Sequence, residues 1–176
     1  NHSTIIVANS DGSGVQTLGA GQSPAWAPSG DRLAFVAPDG RLYAINADGS
    51  GRRLVYDGGG AFVYAPSWSP QGDRIAFFAA SQLVVVATDG TRLDSTPVDS
   101  DGEPPKWSSD GSQIAVEALT AVSVVQIGTP GFWSYPKRAD PSWSPKENFF
   151  ATSFAGPCQQ SGIYRIDGAP KLAQPR

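Results

Sequence analysis

Few side chains in this sequence could act as catalytic bases or bind a metal. His2 is the only histidine, and it lies at the extreme N-terminus, where it is poorly placed for a catalytic triad or a multi-histidine metal site. Cys158 is the only cysteine, so the chain has neither an intrachain disulfide nor a multi-cysteine metal framework. These residue types give no indication of hydrolytic or metal-dependent catalysis.

Two sequence motifs that support catalysis in other proteins are missing or incomplete. No Gly-x-Ser-x-Gly sequence occurs, so the chain lacks a nucleophile elbow. The glycine run 58–60 is not followed by the Lys-Ser or Lys-Thr of a phosphate-binding loop, and we interpret it as a connector between structural units. We therefore predict that the protein is not an enzyme and binds no cofactor.

The acidic residues fall into two patterns. Asp11, Asp48 and Asp89 each precede a glycine at equivalent turn positions, where an aspartate side chain caps its own backbone. A second group alternates along one loop but lacks the sixth-position glycine and the terminal glutamate of a calcium loop; it consists of Asp99, Asp101 and Glu103. We predict structural turns for the first pattern and no metal site for the second.

The composition indicates which elements must position these residues. The 176 residues are 40% hydrophobic and 16% charged, and they include 20 glycines and 15 prolines, which favours a turn-rich all-β domain over a helical one. The net charge of −3 lacks the basic field of a nucleic-acid-binding protein, and no apolar run is long enough to span a membrane. We expect no nucleic-acid partner and no membrane insertion.

An internal repeat dominates the sequence. Four segments share the pattern Pro-x-Trp-Ser-Pro-x-Gly-Asp-Arg-Ile-Ala-Phe with few exchanges, and they cover residues 24–36, 66–78, 105–117 and 141–153. Their tryptophans lie 42, 39 and 36 residues apart; they are Trp26, Trp68, Trp107 and Trp143. A fixed period of this length predicts a repeat architecture.

Each repeat reads as four short antiparallel strands, a to d. Strand a carries the tryptophan, strand b the Arg-Ile-Ala-Phe run, and strand c a second apolar run that ends in an Asp-Gly type of turn before strand d. The four units cover 24–55, 66–97, 105–134 and 141–173, and residues 4–18 match only the c and d half. The second c strand, 82–87, is apolar on both faces, as expected for a strand covered on both sides.

Radial packing against further copies would bury both faces of such sheets, so we predict an all-β fold, a β-propeller with four four-stranded blades plus an N-terminal two-strand remnant, in a single domain covering 1–176. The four repeated tryptophans are expected to pack between blades. The number of blades in a closed ring stays open among three alternatives: a fragment of a ring of six to eight blades, a partial ring completed by self-association, and a four-bladed ring with an added hairpin.

The repeat resembles the WD40-like (PD40) repeat of the TolB family, which also occurs in the propellers of tricorn-type and prolyl-oligopeptidase-type peptidases. The resemblance covers nearly the whole chain. Two copies depart from it: the third loses the Phe of strand b and places Glu117 in that strand, and the fourth replaces the glycine turn by 146–148. The resemblance implies protein binding and an extracytoplasmic location, in the bacterial periplasm or at the cell surface.

The variable loops should lie on one face, where the d-to-a and b-to-c connections meet. These loops are 57–64, 100–104, 137–140 and 155–161. Because recognition residues concentrate on loops held by a rigid scaffold, and because aromatic and arginine side chains are enriched in interfaces, we expect a protein partner to bind this face. The candidate partner-binding residues are Phe62, Tyr64, Asp101, Glu103, Trp133, Tyr135, Lys137 and Arg138.

The first functional hypothesis is thus a non-catalytic protein-interaction module. An alternative is the gating propeller of a peptidase whose catalytic domain is absent. A further alternative is a carbohydrate-binding or lyase propeller, which the single histidine disfavours.

Overall fold

The regular structure is almost entirely β-sheet. In a computed structural model, which describes residues 3–136, 138–146, 149–154 and 164–167, these residues form seventeen strands and one short 3-10 turn. A two-stranded sheet comes first, and we call it the half-blade; its strands are β1 (Thr4–Val7) and β2 (Gln16–Ala20). Four larger sheets follow, one for each repeat.

Each of the first three blades has four strands, and strands that are consecutive in the sequence lie side by side in the sheet. The first blade consists of β3 (Gln22–Trp26), β4 (Arg32–Val36), β5 (Leu42–Asn46) and β6 (Arg53–Tyr56). The second blade consists of β7 (Val63–Trp68), β8 (Arg74–Ala79), β9 (Gln82–Ala87) and β10 (Arg92–Pro97). The third blade consists of β11 (Lys106–Trp107), β12 (Gln113–Ala118), β13 (Ala121–Gln126) and β14 (Phe132–Pro136).

The fourth blade shows three strands, β15 (Arg138–Trp143), β16 (Phe149–Phe154) and β17 (Tyr164–Asp167), and its expected strand d at 169–173 lies outside the described residues. The predicted all-β propeller fold is confirmed, as are the two-strand N-terminal remnant and the antiparallel a-b-c-d order. The chain divides into two compact units, which we call unit 1 (residues 1–95) and unit 2 (residues 96–176), and the boundary between them lies inside β10. The assignment of a single domain stays a prediction.

The central strands of the blades are apolar, and their side chains are largely buried. In β9 the four residues 83–86 are almost fully buried, and in β8 so are residues 75–79. The first and second blades share a core in which Val36 and Leu42 pack near Trp68 and Phe77. The opposite face of the first blade, with Leu33 and Phe35, packs on Ile5 of the half-blade.

The serine of the repeat motif stabilises the turn between strands a and b. Ser69 is fully buried; its hydroxyl accepts a hydrogen bond from the Arg74 backbone N–H at 3.0 Å and donates one to Asp73 Oδ1 at 2.8 Å. Gly72 occupies the left-handed position of this turn, with φ +70°, where a side chain would be strained. In the third blade Ser108 accepts the Gln113 N–H in the same way but donates to Asp110, two residues later, and the first blade has Ala27 at this position.

The aspartates before the c-to-d turns cap the backbone as predicted. Each carboxylate accepts a hydrogen bond from the backbone N–H two residues later: Ser13 to Asp11, Ser50 to Asp48 and Thr91 to Asp89, all at 2.9 Å. These bonds, together with those from the hydroxyls of the same partners, lower the pKa of all three aspartates. Their role in the fold is therefore local and structural.

A bulge interrupts strand a at one fixed place. The residue three positions before the tryptophan has positive φ in three blades, and the pairing register shifts there; these residues are Ser23 (52°), Ala65 (51°) and Asp140 (53°). In the third blade the same position holds Pro104, whose ring fixes φ near −65°. Its strand a is only two residues long.

The repeated tryptophans connect neighbouring blades within each unit. Trp68 is 6% exposed, and its indole N–H donates to the Ala25 carbonyl oxygen of the first blade at 3.0 Å. Trp143 donates in the same way to the Lys106 carbonyl oxygen at 2.7 Å. In both cases the acceptor is the residue before the tryptophan of the preceding repeat. Trp26 differs from the expected inter-blade packing, because it is 48% exposed.

The unusual Glu117 of the third blade contacts the next blade within the same unit. Its carboxylate accepts a hydrogen bond from the Asp140 backbone N–H at 2.9 Å, and it lies 3.8 Å from Lys106 Nζ. The departure from the repeat pattern at this position thus supplies an acceptor for the bulged strand of the fourth blade.

Candidate functional site: a cavity on the loop face of unit 1

The d-to-a and b-to-c connections of unit 1 surround a cavity of about 500 Å³. We call this the loop-face cavity. It is lined by the start of strand a, the b-to-c turn and the d-to-a loop that leads to the second blade; the lining residues include Gln22, Val36, Pro38, Asp39, Arg41, Asp57 and Phe62. Its size falls within the range of pockets that hold small ligands or single side chains of a partner.

One wall of the cavity is the tight turn between β4 and β5. The Ala37 N–H donates to the Arg41 carbonyl oxygen at 3.0 Å, and the Gly40 N–H donates to the Ala37 carbonyl oxygen at 2.9 Å. Asp39 caps the same turn by accepting the Arg41 N–H at 3.1 Å, and its second oxygen accepts the Tyr43 hydroxyl at 2.8 Å. The turn therefore holds the Asp39 carboxylate and the Arg41 side chain in place.

Arg41 joins this turn to the opposite loop. Its Nε lies 3.0 Å from Asp57 Oδ1, and the negative charge of Asp57 raises the pKa of Arg41. Partial desolvation opposes the ionisation of Asp39, but the bonds from Arg41 and Tyr43 and the nearby positive charges lower its pKa overall. The cavity rim thus presents two carboxylates and one guanidinium.

The opposite wall is the glycine run that the sequence suggested was a connector. Residues Gly58–Gly60 form a single 3-10 turn in which all three glycines have positive φ, between 55° and 88°. Side chains would be strained at these positions, and the turn places Asp57 and Phe62 at its two ends.

Phe62 forms the exposed end of a row of aromatic rings. It is 62% exposed, and its ring centroid lies 6.1 Å from that of Tyr64, which in turn lies 5.2 Å from the fully buried Phe78. The row is anchored in the core of the second blade, and its exposed end lines the same cavity as the Arg41–Asp57 ion pair. A rigid aromatic group next to an arginine is typical of interface hot spots.

The other predicted partner-binding residues belong to unit 2. Asp101 and Glu103 are exposed, and the Asp101 carboxylate accepts the Glu103 backbone N–H at 3.1 Å, so part of this loop stabilises itself. Lys137 lies outside the described residues, and Arg138 is described only as the first residue of β15.

Trp133 and Tyr135 are partly buried against the core of unit 2. Both pack on the cluster around Phe150, and the Tyr135 ring meets the Phe150 ring edge-on at 5.6 Å. Burial raises the pKa of Tyr135. The Trp133 indole nitrogen is buried and has no hydrogen-bond partner among the described residues.

The structure thus brings Phe62 and Tyr64 together at one site and Trp133 and Tyr135 together at another. Sequence reasoning missed Asp39, Arg41 and Asp57. The Pro-Asp-Gly-Arg sequence at 38–41 predicts a turn, but nothing in the sequence pairs it with an aspartate sixteen residues later. Among the described residues, no three histidine, cysteine or acidic side chains gather as metal ligands. The described part of the chain contains no helix that is long and apolar enough to cross a membrane.

No protein-family model matches the sequence, and no curated protein matches it. Solved structures do resemble it. The structure of a putative TolB from Agrobacterium tumefaciens is 18% identical with a TM-score of 0.60, covering 94% of this chain and 66% of that one. An oligogalacturonate lyase from Vibrio parahaemolyticus is 14% identical with a TM-score of 0.69, covering 92% and 54%.

A chain of a nidogen/laminin complex is 14% identical with a TM-score of 0.60, covering 86% of this chain and 64% of that one. This protein therefore spans between about half and two thirds of the length of the solved chains that it resembles. At these identities the likeness shows the fold.

Proposed function

We propose that this chain is a non-catalytic protein-interaction module of the TolB-like propeller type, and that it binds a protein partner at the loop-face cavity. The observation that carries the proposal is the exposed Phe62 ring, which stacks on Tyr64 and lines the same cavity as the Arg41–Asp57 ion pair. An aromatic group held in place loses little conformational entropy on binding, and the ion pair supplies directional polar contacts.

The cavity also suggests what the partner presents. Two carboxylates and one guanidinium line a space that can hold one side chain, while Phe62 offers an apolar surface in the same lining. A partner loop with a basic residue next to an apolar one would complement both features. Repeat pattern and fold are consistent with a TolB-like module, and we place its action outside the cytoplasm on this resemblance.

The proposal can be tested without knowing the natural partner. Peptides would be selected from a random phage-displayed library for binding to the wild-type protein. Their affinities for the wild-type protein and for three variants would then be compared. Phe62→Ala and Arg41→Ala should weaken the selected peptides by about tenfold or more, as expected for hot-spot residues. Leu93→Ala removes an exposed apolar side chain elsewhere in the same unit and should have no effect.

Selected peptides that bind all three variants equally would show that the loop-face cavity is not the recognition site. Binding of an oligogalacturonide at the cavity, with no peptide selected there, would favour the carbohydrate-binding alternative over a protein partner.

A further inference from the structure

The sequence contains eight Asp-Gly pairs, and an Asp-Gly pair can rearrange its own backbone. The glycine amide nitrogen attacks Cγ of the neutral aspartic acid, so that a C–N bond forms, a C–O bond breaks, and the amide proton leaves with the hydroxyl group as water. Water then opens the resulting five-membered imide. Opening at the former main-chain carbonyl carbon gives isoaspartate, in which the backbone runs through Cβ, and the atoms balance with no other reactant.

The hydrogen bond of the glycine N–H decides which of these pairs can react in the folded protein. In five pairs this N–H donates at 2.9 Å to the carbonyl oxygen three residues earlier, in a turn that joins two paired strands. The glycines of these hairpin turns are Gly12, Gly40, Gly49, Gly90 and Gly111. Reaction at any of them requires the turn to open first, which costs free energy.

The pair Asp57–Gly58 is protected in a different way. Gly58 is buried, and the Asp57 carboxylate lies 3.0 Å from Arg41 Nε. Formation of the imide would break this ion pair, because the imide carries no negative charge. The eighth pair includes Gly168, which lies outside the described residues.

The pair Asp101–Gly102 lacks these protections. It lies in the loop between β10 and β11, and both of its residues are exposed. The Gly102 N–H donates to a side chain, the Ser100 hydroxyl oxygen, at 3.1 Å. A Cβ built on Gly102 would meet no atom within 4 Å, so the imide ring has space. Rotation of one serine side chain releases this nitrogen, and no strand pair has to open.

We propose that Asp101–Gly102 is a site of spontaneous isoaspartate formation, with water as the only co-reactant. The product adds one carbon to the main chain and replaces the side-chain carboxylate by a free α-carboxylate. Two contacts of the loop depend on the original backbone: the Asp101 N–H donates to the Glu117 carbonyl oxygen at 3.1 Å, and the Asp101 carboxylate accepts the Glu103 N–H at 3.1 Å.

The modification would therefore change the surface of this loop as the protein ages. Asp101 and Glu103 are exposed and carry the negative charge of the loop beside Gly102. A longer backbone at this point moves both carboxylates relative to the third blade. This inference concerns unit 2 and does not depend on the function proposed for the loop-face cavity.

The sequence suits a direct measurement. Cleavage after lysine and arginine places each of the seven described Asp-Gly pairs in a separate peptide, and Asp101 falls in the peptide 93–106. The 176-residue protein would be kept for several weeks at neutral pH and digested at mildly acidic pH. Electron-transfer fragmentation would then quantify isoaspartate in each peptide, since the two isomers give different backbone ions.

Isoaspartate is expected to accumulate at Asp101 at least about tenfold faster than at the five hairpin turns, because those turns must open first. Ser100→Ala removes the acceptor of the Gly102 N–H and should accelerate the reaction about threefold. Asp101→Glu keeps the charge and should abolish it, because a six-membered imide forms far more slowly. In protein unfolded by guanidinium chloride, all seven pairs should react at similar rates.

Equal accumulation at all seven pairs in the folded protein would overturn the proposal, as would a faster reaction at any of the hairpin turns. An unchanged rate at Asp101 in the Ser100→Ala protein would overturn it as well, because the hydrogen bond from Gly102 to Ser100 would then not control the reaction.

Discussion

The second and third blades share one sequence motif, yet their first strands differ in length from six residues to two. Three positions before the tryptophan, the second blade has Ala65 with φ 51°, and the third has Pro104. A proline cannot adopt positive φ, so the bulge that lets strand a continue past this point is unavailable to the third blade. The length of a strand here depends on the backbone freedom of a single residue.

The same two blades differ at the turn between strands b and c. Both turns have two residues, but Ala80 and Ser81 of the second blade have φ of 50° and 58°, whereas Leu119 and Thr120 of the third are not in the left-handed region. The second blade thus tolerates residues of positive φ both in its first strand and in its b-to-c turn. The third blade avoids the strain and has a shorter first strand.

The largest effect is expected when Ala65 of the second blade is replaced by proline, the residue that the third blade has at the equivalent position. Ala65→Pro should lower the free energy of unfolding by about 3 kcal/mol, because the native φ is inaccessible to proline. Urea unfolding would measure the change, and amide exchange should show loss of protection at Val63 and Tyr64. Pro104→Ala is the matched control and should stay within about 0.5 kcal/mol. An Ala65→Pro protein as stable as wild type would refute the explanation.

The next prediction concerns the buried serine that both blades have in the turn between strands a and b. Ser69→Ala and Ser108→Ala should each cost about 1–2 kcal/mol, because each buried hydroxyl accepts a backbone N–H and donates to an aspartate. Thermal unfolding of both variants would measure this. The reverse change in the first blade, Ala27→Ser, should be neutral or stabilising. A large loss for one serine and none for the other would show that the turns are not equivalent.

A smaller effect, of opposite sign, is expected at the strained hairpin. The double substitution Ala80→Asn with Ser81→Gly should stabilise the protein by about 1 kcal/mol, since Asn-Gly favours two residues of positive φ. Leu119→Asn with Thr120→Gly, at the turn without this strain, should give no gain. Chemical denaturation midpoints would compare the two, and equal gains would contradict the difference described above.

The smallest effect concerns acid stability. The hydrogen bond from Ser69 lowers the pKa of Asp73 below 3.8, despite some desolvation. A carboxyl whose pKa is depressed by folding stabilises the native state above its unfolded pKa, and this contribution is lost as the pH falls through the folded value. Asp73→Asn should therefore lower the stability slightly at pH 7, and its difference from wild type should shrink as the pH falls below about 4, which flattens the acid limb of the stability profile. An unchanged acid limb would show that Asp73 stays well solvated.

The periodic features of the fold could be predicted from the sequence. The spacing of the tryptophans, the Asp-Gly turns and the apolar runs identified the blades and the half-blade, because each feature recurs at a fixed place. The bulge could not, because the proline that precedes every motif tryptophan by two residues favours extended backbone at the residue before it, whereas Ser23, Ala65 and Asp140 have positive φ.

The candidate site was only partly predictable. Phe62 and Tyr64 were identified from loop position and residue type, whereas the Arg41–Asp57 pair depends on how two loops of different length meet. The exposure of Trp26 was also missed, because its sequence is that of a residue between two blades. What sequence periodicity cannot show is which copies have a neighbour on each side.

The edge of β1 has a further consequence for handling the protein in concentrated solution. The strand Thr-Ile-Ile-Val is β-branched throughout and uncharged, and within the described residues one of its edges is unpaired. Short segments of this kind stack readily into cross-β assemblies. In a concentrated stock of these 176 residues, association is therefore expected to begin at this strand.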